Sequence, residues 1–250
     1  MVAVAAFAFL GGLIAGSFVT VVAHRVPRGE SIVGPRSRCP GCGARIAAYD
    51  NVPVFSWALL RGRARCCGEP ISARYPLTEL GLGALYAATA LVLWDEPWEV
   101  ALGLVFVTVL TVVTLTDLEQ RIIPNKILIV AATLAVAIAA VGDAGSLPER
   151  AVAAAAAGGL LFAAALAYPR GMGLGDVKLA AVMGLFLGRN VAPALLVALL
   201  AGSLAGLALI ARRGAGARKR AIPFGPFLAL GGIVGLLAGD QLVSWYLGTF

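Results

Sequence analysis

The fold is set by an uncharged run, VALGLVFVTVLTVVTLT (residues 100–116), which ends directly at Asp117. A bilayer core is crossed by a helix of about 20 mostly apolar residues, and this run is close to that length. Lipid offers the backbone no hydrogen-bond partners, and the run lacks the alternating period of a barrel strand. The sequence therefore predicts a membrane-spanning helix with a carboxylate where it leaves the bilayer.

Similar runs recur along the whole chain, in which 60% of residues are hydrophobic and 13% are charged, against about 25% charged in soluble domains. The long runs are residues 2–23, 100–116, 151–169, 190–211 and 221–239, and three shorter ones are 80–94, 127–142 and 179–188. The first two of these reach spanning length if their polar flanks extend to the interface, whereas 179–188 is clearly short. We expect an all-α polytopic membrane protein with about eight transmembrane helices and a large loop between helices 1 and 2.

Basic residues fall in alternate loops and predict the orientation. The loop 24–75 holds nine Arg and the stretch 212–220 five basic residues, whereas 95–99 holds three acids and no base. Lys and Arg in short loops favour the cytoplasmic side. An external amino terminus then places 18 of the 20 basic residues in the cytoplasm. Membrane lipid accounts for the net charge of +7, so no nucleic-acid partner is expected.

All four cysteines fall in the predicted cytoplasmic loop, as Cys39-Pro-Gly-Cys42 and the adjacent pair Cys66 and Cys67. A reducing compartment argues against disulfides. Two such clusters resemble the knuckles of a zinc ribbon, so we predict a structural zinc bound by these four thiolates. The second knuckle is irregular, because Ala64 stands where regular spacing places a ligand. The alternative is that some of them are free, buried thiols.

Two acids stand out because of their surroundings. Asp117 ends an apolar run, and Asp176 follows three glycines in GMGLGDVK (171–178), which allow another chain to approach closely. The predicted topology puts both at cytoplasmic helix ends, where facing carboxylates can share a proton and activate water. This favours an aspartyl protease dyad. The alternatives are a capping box from Thr116 to Glu119 and a turn in which Asp176 leads into an N-cap.

Further motifs accompany these acids in a recognisable order. They are GSF (16–18), HRVP (24–27), CPGC (39–42), NVP (51–53) with Ser56 and Trp57, ISARYP (71–76) with Glu79, Asp117 with IPN (123–125), GLGD (173–176) and IPFGP (222–226). With them the chain resembles the bacterial type IV prepilin peptidases, also called leader peptidase/N-methyltransferases, over nearly its whole length.

The resemblance implies an aspartic endopeptidase of the bacterial inner membrane, with Asp117 and Asp176 catalytic. Its partners would be prepilin or pseudopilin precursors, cut after a basic leader at the cytoplasmic face. The large cysteine loop also implies N-methylation of the new amino terminus with S-adenosylmethionine, whose binding residues the motifs do not identify. The domains would be 1–23, a first helix; 24–75, the cysteine loop; and 76–250, the transmembrane protease.

Three other functions remain open at the level of sequence. A presenilin-like or signal-peptide-peptidase-like protease would share the GxGD motif. An ion- or proton-coupled transporter would use Asp117 and Asp176 to bind a cation or relay protons, with both near mid-bilayer. A zinc-ribbon scaffold would need its cysteines but not its aspartates.

Overall fold

The computed structural model describes residues 1–34, 37–169, 171–213 and 222–248. Within these residues the chain is helical apart from turns and two isolated β-bridges, which confirms the all-α prediction. Its helices are α1 (Val2–Arg25), α2 (Phe55–Leu59), α3 (Arg74–Val92), α4 (Pro97–Gln120), α5 (Asn125–Gly142), α6 (Leu147–Ala167), α7 (Leu174–Leu187), α8 (Val191–Arg213) and α9 (Gly225–Leu247). Arg36, Arg170 and most of the basic stretch 212–220 lie outside the described residues, as does the first residue of the span predicted at 221–239.

Six stretches in the described part of the chain are long and apolar enough to cross a membrane. They are Val2–Arg28, Pro97–Gln120, Asn125–Gly142, Ala144–Ala167, Leu174–Arg212 and Gly225–Leu247. The protein is therefore a multi-pass membrane protein, but the predicted count of eight spans is not confirmed. The difference arises because α3 is not among the six and because α7 and α8 fall within one of them. With 14 residues, α7 is about 21 Å long, shorter than a bilayer core of about 30 Å.

The chain divides into two compact units, Met1–Trp94 and Asp95–Phe250. The functional division predicted at residue 76 stays a prediction. In the first unit, α1 lies against α3 through two glycines. A Cβ added at Gly12 would lie 2.7 Å from the Cα of Gly83, and one added at Gly16 would lie 2.6 Å from the Cα of Glu79. Small residues let membrane helices approach this closely, so these glycines set the α1–α3 spacing.

The second unit is built around α7. Phe186 of α7 stacks on Phe106 of α4 with ring centroids 4.9 Å apart. On α6, the Cα of Ala154 would lie 2.5 Å from a Cβ added at Gly184 of α7. Gly232 of α9 faces side chains of both α4 and α7. The short helix α7 is thus packed between longer helices of this unit.

We expect Gly12→Ala to destabilise the protein, because the new methyl group overlaps the backbone of α3. Overpacking of this kind costs about 1–3 kcal/mol, which exceeds the gain in helix propensity of up to about 1 kcal/mol. Gly11→Ala is the matched control, since a Cβ there has nothing within 4 Å. Thermal unfolding in detergent should show a lower Tm for Gly12→Ala only; equal Tm values would contradict the close α1–α3 contact.

Candidate functional site

Asp117 lies in the last turn of α4 and is 6% exposed. The helix continues to Gln120 and ends at Arg121, whose φ of 56° is left-handed and whose N–H donates to the Asp117 carbonyl at 3.0 Å. Thr116 is therefore near a helix carboxyl terminus, and the alternative of an N-terminal capping box at this position is wrong. The Asp117 carboxylate instead accepts a hydrogen bond from the backbone N–H of Gly225, with Oδ2 and N 2.8 Å apart.

Gly225 is the first residue of α9 and leaves room for the carboxylate. A Cβ built there would lie 2.8 Å from Oδ2 and 3.1 Å from Cβ of Asp117. The first N–H groups of a helix have no partner within it, and they lie at the positive end of its dipole. This terminus therefore suits a negative charge on Asp117.

Asp176 lies in the first turn of α7. Its Oδ2 accepts from the N–H of Gly173 at 3.2 Å, and its own N–H donates to the Gly173 carbonyl at 3.1 Å. Gly175 and Asp176 lie inside α7, so the alternative of a turn at these residues that leads into an N-cap is wrong; the Asp176 side chain instead bonds back to the N-cap residue Gly173. The side chain remains partly exposed.

The start of α7 also contacts the connection from α4 to α5. A Cβ added at Gly175 would lie 3.2 Å from the Cβ of Ile123, and Lys178 Nζ donates to Asn125 Oδ1 at 3.0 Å. Three sequence motifs, IPN, GLGD and IPFGP, therefore meet where α4 ends and α5, α7 and α9 begin. Asp117 and Asp176 both lie at this meeting point, and carboxylates that face each other are the groups that can share a proton and activate a water.

The first cysteine knuckle is a tight turn around the sulfurs of Cys39 and Cys42. The N–H of Cys39 donates to the Ala44 carbonyl at 2.9 Å, and the N–H of Gly43 donates to the Cys39 carbonyl at 2.9 Å. Backbone N–H groups of Cys42 and Gly41 point at the Cys39 sulfur and lower its pKa to about 7. A thiolate, which is the form that binds metal, is favoured at Cys39.

The second knuckle repeats this backbone pattern 25 positions later. The N–H of Ala64 donates to the Glu69 carbonyl at 2.8 Å, and the N–H of Gly68 donates to the Ala64 carbonyl at 2.8 Å. Gly43 and Gly68 have matching left-handed φ values of 72° and 75°. Ala64 is therefore the structural counterpart of Cys39, and Cys67 that of Cys42.

The four sulfurs nevertheless converge, because Cys66 supplies the fourth sulfur although residue 64 is an alanine. All four lie within 4.8 Å of one another, with Cys39 and Cys67 3.5 Å apart and Cys42 and Cys66 3.2 Å apart. Four sulfurs around a tetrahedral zinc at about 2.3 Å would be about 3.8 Å apart. The cluster could therefore bind a metal ion despite its irregular spacing.

Residues 10–93 match the Bacterial Peptidase A24 N-terminal domain, and residues 104–211 match the Type IV leader peptidase family. The Prepilin leader peptidase/N-methyltransferase of Aeromonas hydrophila is 35% identical, over 97% of this chain and 93% of the relative. The chain belongs to the type IV leader peptidase family. The protein of the same name from Bacillus subtilis is also 35% identical, over 96% of each chain. No solved structure matches this leader peptidase family member.

Membership of this family confirms the resemblance drawn from the motifs, and the comparisons give no support to a transporter. One residue that the sequence did not place among the site residues is Gly225. Gly225 belongs to the IPFGP motif, where it stands between Phe224 and Pro226, so the sequence drew attention to this segment. Only the fold shows that Gly225 contacts Asp117.

The irregular position of Cys66 predicts how much metal three variants of the cysteine loop will bind. Cys66→Ser should lose most of the bound metal, and Ala64→Cys with Cys66→Ser should regain about one ion per chain, because residue 64 occupies the regular ligand position. Ala58→Cys with Cys66→Ser, which restores the number of thiols at an exposed site elsewhere in the loop, should not regain it. The measurement is metal content of the purified protein by mass spectrometry. Full metal content in Cys66→Ser would remove Cys66 from the ligand set.

Proposed function

We propose that this protein is an aspartic endopeptidase that removes the basic leader of type IV prepilins or pseudopilins, with Asp117 and Asp176 as its catalytic pair. The observation that carries the proposal is that Asp117 and Asp176 lie at helix ends that meet, through the contact of Gly225 with Asp117 and that of Gly175 with Ile123. The names of the relatives, which state a prepilin leader peptidase activity, support the substrate class.

The pair would work by sharing one proton. The ionised carboxylate takes a proton from a bound water, whose oxygen attacks the carbonyl carbon of the scissile peptide, while the protonated carboxyl donates to the carbonyl oxygen. When the tetrahedral intermediate collapses, the C–N bond breaks, the leaving nitrogen takes the proton that the first carboxylate received from the water, and a hydroxyl of the intermediate returns its proton to the second carboxylate. The bond from Gly225 N–H holds Asp117 in one orientation through both steps.

Charge supports a cytoplasmic location for this end of the second unit. Arg121, Lys126 and Lys178 lie beside the aspartate motifs. The opposite end carries Glu96, Glu99, Glu149 and Asp240, and among the described residues there Arg150 pairs with Glu99 and Arg189 with Asp240. The positive-inside rule then favours the aspartates on the cytoplasmic side of the bacterial inner membrane.

Apolar surface close to the aspartate motifs suits a substrate that remains in the membrane. Leu118, Ile122 and Leu174 are 55%, 44% and 61% exposed. A prepilin could pack its hydrophobic helix against such surface and present the cleavage site, at the cytoplasmic end of that helix, to Asp117 and Asp176. The hydrophobic segment would then stay in the bilayer after the leader is removed.

Two further properties are proposed, a zinc site in the first unit and a methyltransferase activity. We infer that the four cysteines bind zinc, which would hold the two knuckles together as a structural ion. The relatives are named N-methyltransferases as well as leader peptidases, so we also infer S-adenosylmethionine-dependent methylation of the new amino terminus.

Asp117→Asn and Asp176→Asn should each abolish cleavage of a prepilin-type precursor, because an amide can neither accept the proton of the water nor share one with its partner. The expected fall in kcat is at least about 1,000-fold, measured as loss of the leader by gel shift in membranes. Glu119→Gln, an exposed acid in the same turn of α4, is the matched control and should cleave normally. Cleavage retained in either aspartate variant would remove that residue from the pair.

Gly225→Ala should also impair cleavage, because its methyl group would displace the Asp117 carboxylate. A shift of about 1 Å in a catalytic group can cost about 100-fold in rate. Gly206→Ala in α8, where an added Cβ has nothing within 4 Å, should leave the rate unchanged. Equal rates in the two variants would contradict the role of the Gly225 contact.

A further inference from the structure

A buried arginine lies at the end of the second unit opposite the aspartates. Arg150, in the first turns of α6, is 6% exposed although it carries a full charge. Burying an ion is costly unless its hydrogen bonds are satisfied, so such a residue is seldom incidental. The peptidase mechanism proposed above does not use it directly.

The guanidinium of Arg150 donates in three directions. Its Nε donates to Ser146 Oγ at 3.1 Å, one terminal nitrogen donates to the carbonyls of Leu185 and Phe186 at 3.2 and 2.6 Å, and the other donates to Glu99 Oε1 at 2.7 Å. The carbonyls belong to the last turn of α7, where they lack partners within the helix and favour a cation. Arg150 therefore caps the carboxyl terminus of α7.

The same guanidinium also fixes α4. Glu99 lies in the first turn of α4, and the adjacent Trp98 presents its ring to the guanidinium, with the carbon of the cation 5.2 Å from the ring centroid. The end of α5 packs on this ring as well, since a Cβ added at Gly142 would lie 2.5 Å from Trp98 Cβ. One side chain thus joins the start of α4 to the end of α7.

These are the two helices that carry the aspartates at their other ends. At about 1.5 Å per residue, Glu99 lies about 27 Å along α4 from Asp117, whereas Phe186 lies about 15 Å along α7 from Asp176. The short helix cannot reach the distal end of α4 by itself. The long side chains of Arg150 and Glu99 bridge the difference, so their length helps to set how far α7 is displaced along α4.

We propose that Arg150, through Glu99 and the α7 carbonyls, is a positioning residue that sets the axial register of α7 against α4 and thereby the spacing of Asp176 and Asp117. This inference rests on the proposed peptidase function. The nearby pair of Arg189 and Asp240 provides a contrast. Its side chains are 66% and 67% exposed, so solvent screens the pair and it is expected to contribute little.

The test compares purified Arg150→Met, Arg150→Lys and Glu99→Gln with wild type and with Arg189→Met, using a prepilin-type precursor in detergent micelles. Arg150→Met should lower kcat by about 100-fold with KM within about twofold, because misplacing a catalytic group slows the chemical step without removing substrate contacts. Arg150→Lys should recover part of kcat, since a lysine keeps the charge and some of the bonds. Glu99→Gln should lower kcat by several-fold, and Arg189→Met should match wild type.

Each rate is divided by the amount of enzyme in the monodisperse fraction, and the Tm of that fraction shows that the enzyme is folded. If Arg150→Met does not fold, Arg150→Lys and Glu99→Gln decide the question, because both preserve hydrogen-bonding groups in the cluster. Wild-type kcat in those two variants, or a loss confined to KM, would overturn the positioning role. Absence of cleavage by the wild type would instead contradict the proposed peptidase function.

Discussion

Backbone hydrogen bonding in lipid is the constraint from which the rest of this structure follows. A segment surrounded by hydrocarbon must satisfy its own N–H and C=O groups, which confines the spanning segments to helices. The backbone groups that have no partner within a helix are those at its ends. The aspartates of the proposed site lie at such ends. Asp117 lies in the last turn of α4 and Asp176 in the first turn of α7, and the bond that orients Asp117 comes from the first N–H of α9.

Close helix approach is the second requirement of the site, and glycine provides it. In the second unit, Gly184 brings α6 against α7, and Gly225 brings the start of α9 against the Asp117 side chain. The first of these contacts only positions a helix. At Gly225, the absence of a side chain leaves room for the Asp117 carboxylate, which is proposed to be catalytic. The small size of glycine therefore serves both helix packing and the site.

In the cysteine loop, two knuckles with the same backbone geometry carry a cysteine at different positions. Its two knuckles share one hydrogen-bond pattern and one left-handed glycine each, yet the second has an alanine at the position of the first cysteine. Cys66 compensates from two residues further along, and the four sulfurs still converge. The spacing in the sequence therefore underestimated how well this knuckle suits a metal, because the reach of a side chain is set by the turn and not by the count of residues.

The sequence by itself determined the helical class, the membrane location and the motifs that identify the family, since length, hydropathy and residue type are local properties. It also singled out Asp117 and Asp176 from their immediate neighbours. It did not settle how many helices span, because α7 is too short to be judged without the helices around it. Only the tertiary structure decided that Gly225 contacts Asp117, that the Cys66 sulfur meets that of Cys42 and that Arg150 joins α4 to α7. Those contacts join residues between 24 and 108 positions apart, and their partners are selected by how the helices and turns pack in three dimensions, which no local pattern records.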